Sequence, residues 1–141
     1  MKKIVVLLLI ISFYQCADNR ENNNILPFVA VNETINLNLP QFINLQVPGG
    51  WSYSNGGLKG IIIYNVNGTQ FKAFERASPH LPISQTCSQM MVNNGIKMIS
   101  PCDDSEFSIL DGSPLTSGVE YFAREYLVNR INNSVLQITN F

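Results

Sequence analysis

Gly60-Ile61-Ile62-Ile63-Tyr64-Asn65-Val66-Asn67-Gly68-Thr69-Gln70-Phe71-Lys72-Ala73-Phe74 is the stretch whose reading decides the fold. Gly60 to Tyr64 is continuously apolar and rich in β-branched side chains, which crowd a helical backbone and pack well on a pleated one. A run of this kind, without polar alternation, is expected where a strand is covered on both faces. Val66-Asn67-Gly68-Thr69 supplies an Asn-Gly hairpin turn, and Gln70 to Phe74 follows as the return strand. Phe71 and Phe74 are expected on one face of that strand.

The same punctuation extends in both directions. Val29, Val31, Ile35, Leu37 and Leu39 alternate with polar residues until Pro40 interrupts them. Phe42 to Val47 is a second run, closed by Pro48-Gly49-Gly50, and Trp51-Ser52-Tyr53-Ser54 leads into the positive-φ-permissive Asn55-Gly56-Gly57. Beyond Arg76 the composition is that of a loop, then Gly95 to Ile99 resumes as a strand and Phe107 to Leu110 precedes an Asp111-Gly112 turn. Glu120 to Asn129 is open between strand and short helix, and strand is favoured because Asn132-Asn133-Ser134 reads as a hairpin connection to a terminal strand at Val135 to Thr139. There is no internal repeat and no heptad, and the expected class is all-β.

The 141 residues suit one core. A net charge of −1 and a pI near 5.7 provide no basic footprint, which argues against nucleic acid as a partner. Charged residues make up only 13% of the chain, so Asn, Ser and Gly must do much of the solvating, as suits a loop-rich β-protein.

Met1-Lys2-Lys3 followed by Ile4 to Phe13, broken only by Ser12, has the layout of a signal peptide over residues 1–15. As a helix the apolar stretch would span about 15 Å, half of a ~30 Å hydrocarbon core, too little for a stable transmembrane anchor. Cys16 follows at once, where bacterial lipoproteins are acylated. Phe13-Tyr14-Gln15-Cys16 resembles a lipobox, with bulky Tyr14 and Gln15 where small residues are usual. An ordinary cleaved signal with an incidental cysteine is the alternative. Residues 16–26, including the polar Ala17 to Asn24, are expected to form a tether, and residues 27–141 the folded domain.

Three segments in order resemble the Rieske iron–sulfur family. The strand pair from Gly60 to Arg76 resembles the one that leads to the first cluster loop. Ser78-Pro79-His80 then takes the place of Cys-x-His. Ser100-Pro101-Cys102-Asp103-Asp104-Ser105-Glu106-Phe107 resembles Cys-Pro-Cys-His-Gly-Ser-x-Phe, with Asp111-Gly112 as the turn that follows. The likeness covers the second half of the chain closely and the first strands by pattern. It implies a Rieske-like antiparallel β-sandwich with a small loop subdomain, clipped by a disulfide between Cys87 and Cys102, and a family cofactor of [2Fe–2S] type. Together with the N-terminus, it makes the chain look like a degenerate member akin to envelope lipoproteins of Bacteroidetes-type bacteria.

A Rieske cluster takes two thiolates on one iron and two imidazoles on the other. The positions that the resemblance aligns with those ligands are Ser78, His80, Ser100 and Asp103, of which only His80 keeps the ligand type. Serine oxygen is hard and ordinarily protonated, and Asp103 offers a carboxylate in place of an imidazole. No cofactor and no metal are therefore expected. In a second register Cys102 becomes the ligand and Ser105 the lost histidine, which still leaves too few donors. A mononuclear site of zinc type on His80, Cys87, Cys102 and Asp103 would need both cysteines reduced, against the chemistry of an oxidising envelope.

Other residues carry a sharp and a plain reading. His80, the only histidine, is a general base, a relic of the ancestral loop, or simply a hydrogen-bonded loop residue. Asp103-Asp104 is a cation or acid–base pair, or two solvated turn residues. Trp51 and Tyr53 are a stacking platform or core packing. Asn32-Glu33-Thr34 and Asn67-Gly68-Thr69 fit the glycosylation sequon, which a bacterial lipoprotein signal weakens.

The expected function is that of an exported, membrane-anchored module, with no catalytic residues, that has lost its cluster and serves a non-redox structural or interaction role. Its partners would be an envelope protein, and the membrane through the lipid anchor, on the periplasmic or outer-membrane side of a bacterial cell envelope. The alternative is Rieske-type electron transfer with an atypical [2Fe–2S] site. A hydrolase has no support, since no nucleophile and base stand at a specific spacing.

Overall fold

The computed structural model describes residues 25–140, so the expected signal peptide, Cys16 and most of the tether lie outside the described residues. Among the described residues nine strands form two antiparallel sheets. In chain order they are β1 (Asn32–Asn36), β2 (Trp51–Ser54), β3 (Ile61–Asn65), β4 (Phe71–Glu75), β5 (Met91–Asn93), β6 (Lys97–Ser100), β7 (Ser105–Ser108), β8 (Glu125–Asn132) and β9 (Val135–Thr139). The larger sheet has the order β1-β9-β8-β4-β3-β2, and β5-β6-β7 form a separate three-stranded sheet.

β3 is buried along its whole length. Because successive side chains leave a strand on opposite faces, Ile61 and Ile63 enter one hydrophobic cluster while Ile62 and Tyr64 enter another. The first cluster joins them to Ile35, Tyr126, Leu136 and Ile138 on the inner face of the larger sheet, and to Phe42 and Leu45 from the segment between β1 and β2. The second lies between β3–β4 and the smaller sheet, and holds Phe74, Met90, Met98, Phe107 and Ile109. Each fully buried Ile or Phe contributes about 1.5–3 kcal/mol relative to leaving it in water, which is why this unalternating run forms the shared wall.

The hairpin between β3 and β4 closes as expected, with the Asn67 side-chain oxygen Oδ1 accepting from the backbone N–H of Thr69 and Gln70 at 3.1 and 2.8 Å. Phe71 and Phe74 do not share a face. They stand three positions apart, so a period of two sends Phe71 to the first cluster and Phe74 to the second. The run from Phe42 to Val47 is not a strand either. Pro40–Gln46 is a 3₁₀ helix with Pro at its start, burying Phe42 and Leu45 three residues apart while Ile43 stays exposed. β8 begins at Glu125, after Gly112 and Ala123 have brought the chain back beside Phe74. Leu26, at the end of the expected tether, is buried, and its carbonyl accepts from Arg124 Nη2 at 2.5 Å.

Candidate functional site: two clipped loops

Two loops meet at one end of the smaller sheet. The first runs from Ala77 to Met90, between β4 and β5, and the second is the turn from Pro101 to Asp104 between β6 and β7. Cys87 and Cys102 are joined by a disulfide with their Cα atoms 4.9 Å apart, as the resemblance implied. The bond consumes both thiols, which removes the mononuclear site built on His80, Cys87, Cys102 and Asp103. Among the described residues no group of three or more His, Cys, Asp or Glu side chains is placed to hold a metal ion.

Ser78, His80 and Asp103 come together. His80 Nε2 lies 2.7 Å from Asp103 Oδ2, and His80 Nδ1 lies 3.3 Å from Ser78 Oγ. Ser105 Oγ donates to Asp103 Oδ1 at 2.8 Å and lies 3.5 Å from His80 Nε2. Ser105 stands directly opposite Ser100 in the β6–β7 register, so the two hydroxyls leave the same buried face of the hairpin. Ser100 Oγ is buried with no hydrogen-bond partner among the described residues. A buried hydroxyl in that state costs about 1–3 kcal/mol. Burial by itself would raise the Asp103 pKa, but hydrogen bonds from His80 and Ser105 outweigh it and hold the carboxyl below its ordinary range.

This constellation corrects one reading of the sequence, which finds no nucleophile and base at a specific spacing: the fold assembles a Ser–His–Asp chain. Ser78 is nevertheless 0% exposed, so its hydroxyl cannot meet a substrate carbonyl in this arrangement. The donor set also fails to fit a Rieske cluster. Two hydroxyls replace the two thiolates, and both nitrogens of the single imidazole are already engaged, one by Ser78 and one by a carboxylate. Asp104 does not join the group; it is exposed and takes the left-handed φ of 57° that the turn needs.

Trp51 and Tyr53 pack against the second hydrophobic cluster, their ring centroids 5.1 Å apart. Tyr53 also accepts the Val92 backbone N–H at 3.0 Å, so the pair is largely structural.

Glu75, absent from the expected site residues, is 0% exposed. It accepts from the backbone N–H groups of Leu58, Lys59 and Ala77 at 2.6, 3.0 and 2.8 Å, and from the Tyr126 hydroxyl at 2.6 Å. Burial and the Glu75 carboxylate together push the Tyr126 pKa well above the ordinary tyrosine value. Gly57, at φ +62°, is required there, because a Cβ would stand 2.3 Å from Glu75 Oε2. The signal for this knot is a lone acid ending an apolar strand beside a Gly-rich loop.

No protein-family model matches the chain, and no curated protein matches it. Among solved structures, the ferredoxin of carbazole 1,9a-dioxygenase from Nocardioides aromaticivorans IC177 superposes with a TM-score of 0.50 at 14% identity, over 80% of this chain and 97% of that one. The fold is Rieske-like. A complex of reduced oxygenase and oxidised ferredoxin in carbazole 1,9a-dioxygenase aligns with a TM-score of 0.47 at 23% identity, over 64% of this chain and 82% of that one. The E. coli protein NirD aligns with a TM-score of 0.45 at 15% identity, over 80% of this chain and 96% of that one. At 14% identity the likeness to the Nocardioides ferredoxin extends to the architecture alone.

Proposed function

We propose that this chain is an exported Rieske-like module, held at a bacterial envelope membrane through lipid on Cys16, that carries no [2Fe–2S] cluster. Its role is structural or interactive, with the disulfide-clipped loops as the recognition surface for an envelope protein. The observation that carries the reading is the direct 2.7 Å contact between His80 and Asp103. It occupies the second imidazole nitrogen, while Ser78 and Ser100 offer hard, protonated oxygen where iron needs thiolate. The Cys87–Cys102 bond supports the recognition role alone, since it fixes the geometry of the two loops covalently.

The test is the visible spectrum and iron content of anaerobically purified mature protein. A colourless protein with no stoichiometric iron is expected. Absorption bands at roughly 400–600 nm with bound iron and acid-labile sulfide would overturn the reading in favour of an electron-transfer domain with an atypical site.

A further inference from the structure

A cleft of about 450 Å³ lies beside the loop that joins β2 to β3. Its lining includes Gln41, Tyr53, Asn55, Lys59, Arg76 and Gln89, together with the glycine-rich backbone of the loop, and contains no Asp or Glu.

The Arg76 guanidinium is fixed on two sides. Its Cζ sits 3.9 Å over the centre of the Tyr53 ring, and its Nε donates to the Met90 carbonyl at 3.0 Å. Neither Nη1 nor Nη2 has a hydrogen-bond or ion-pair partner among the described residues, so the outer edge of the fork presents donors without an acceptor. Burial lowers the Arg76 pKa from its ordinary value, against opposing pulls from Tyr53 and Glu75. A partly desolvated cation of this kind gains from an oxyanion, and a planar guanidinium matches a carboxylate with two parallel N–H···O bonds.

Glu75 does not fill that need. It faces inward and its oxygens are occupied by three backbone N–H groups and the Tyr126 hydroxyl. Lys59 is the second cation, its Nζ donating to the Gln85 carbonyl of the clipped loop. Two cations over one buried carboxylate leave a single net positive charge, which suits a monoanion better than a phosphate dianion.

We propose that this cleft is a carboxylate-binding site, in which the Nη1 and Nη2 groups of Arg76 take the two ligand oxygens and Lys59 adds charge from the rim. The carboxylate is that of a free small acid or of a peptide chain end, and the site is independent of whether the neighbouring loops hold iron.

The experiment is an amide NMR titration of the mature protein at constant ionic strength, with sodium acetate, N-acetyl-triglycine and the amide of N-acetyl-triglycine as probes. Saturable shifts confined to Asn55–Gly60 and Arg76 are expected with both carboxylates and not with the amide. Tighter binding of the tripeptide acid than of acetate identifies a chain end as the ligand, and equal binding a small acid. R76K keeps the charge but loses the fork, and should weaken binding about tenfold; K59Q should weaken it about two- to threefold. Absence of saturable shifts in the parent protein, or shifts that R76K leaves unchanged, would overturn the proposal. Because R76K conserves charge and most of the side-chain stem, its amide spectrum reports folding in the same titration.

Discussion

The bond between His80 and Asp103 joins the tips of the two loops, and the Asp103 side chain is 36% exposed. Water screens a pair at that exposure, so its contribution is about 0–1 kcal/mol. The sign of its pH dependence follows from the depressed carboxyl pKa. Folding favours the deprotonated acid, so the contribution is complete above the unfolded value of 3.8 and is lost as pH falls through the lower folded value. D103N should therefore cost less than about 1 kcal/mol at neutral pH and leave the protein less sensitive to acid. Urea unfolding followed from neutral pH into the acid range checks this, with the parent and the variant converging at the acid end. Some acid sensitivity will remain in D103N, because Asp111 is depressed in the same direction by the hydroxyls of Ser108 and Ser113.

At the scale of elements, the covalent clip does more than any single hydrogen bond in the loops. It closes a segment with a sequence separation of 15, a length for which chain entropy predicts about 3 kcal/mol. C87S/C102S should lower the unfolding free energy by about that amount, and hydrogen exchange should show the loss concentrated in the two loops and the β5–β6–β7 sheet. Uniform loss of protection across the larger sheet would contradict that localisation. The β3–β4 pair is legible in the sequence because Ile61 to Tyr64 can be satisfied only by burial on both sides. Phe71 and Phe74 are misassigned only if two aromatics in one strand are taken as neighbours without counting the pleat. The 3₁₀ helix at Pro40–Gln46 is hidden because Phe42, Ile43, Leu45 and Val47 match an apolar run as well as they match a spacing of three. β5 is only three residues long, and a strand that short carries no period to read. The Ser78–His80–Asp103 chain depends on two loops that approach only after the hairpins pair, so neither loop announces it alone.

For the molecule as a whole, residues 25–140 form the Rieske-like body, and among these described residues no helix is long and apolar enough to cross a membrane. The proposed attachment rests on Cys16, outside the described residues. Expressed in a bacterium with its own N-terminus, the protein should partition with membranes, and C16S should move it to the soluble envelope fraction without altering its thermal transition. Retention of C16S in the membrane fraction would place the attachment elsewhere.

β3 also sets how the body comes apart. Ile61 and Ile63 line one hydrophobic centre while Ile62 and Tyr64 line the other, so the two centres share a single partition. Pulling that partition out opens both at once, and neither half retains a complete enclosure that would let it persist alone. Heat should therefore melt this small, two-centred domain in one concerted step.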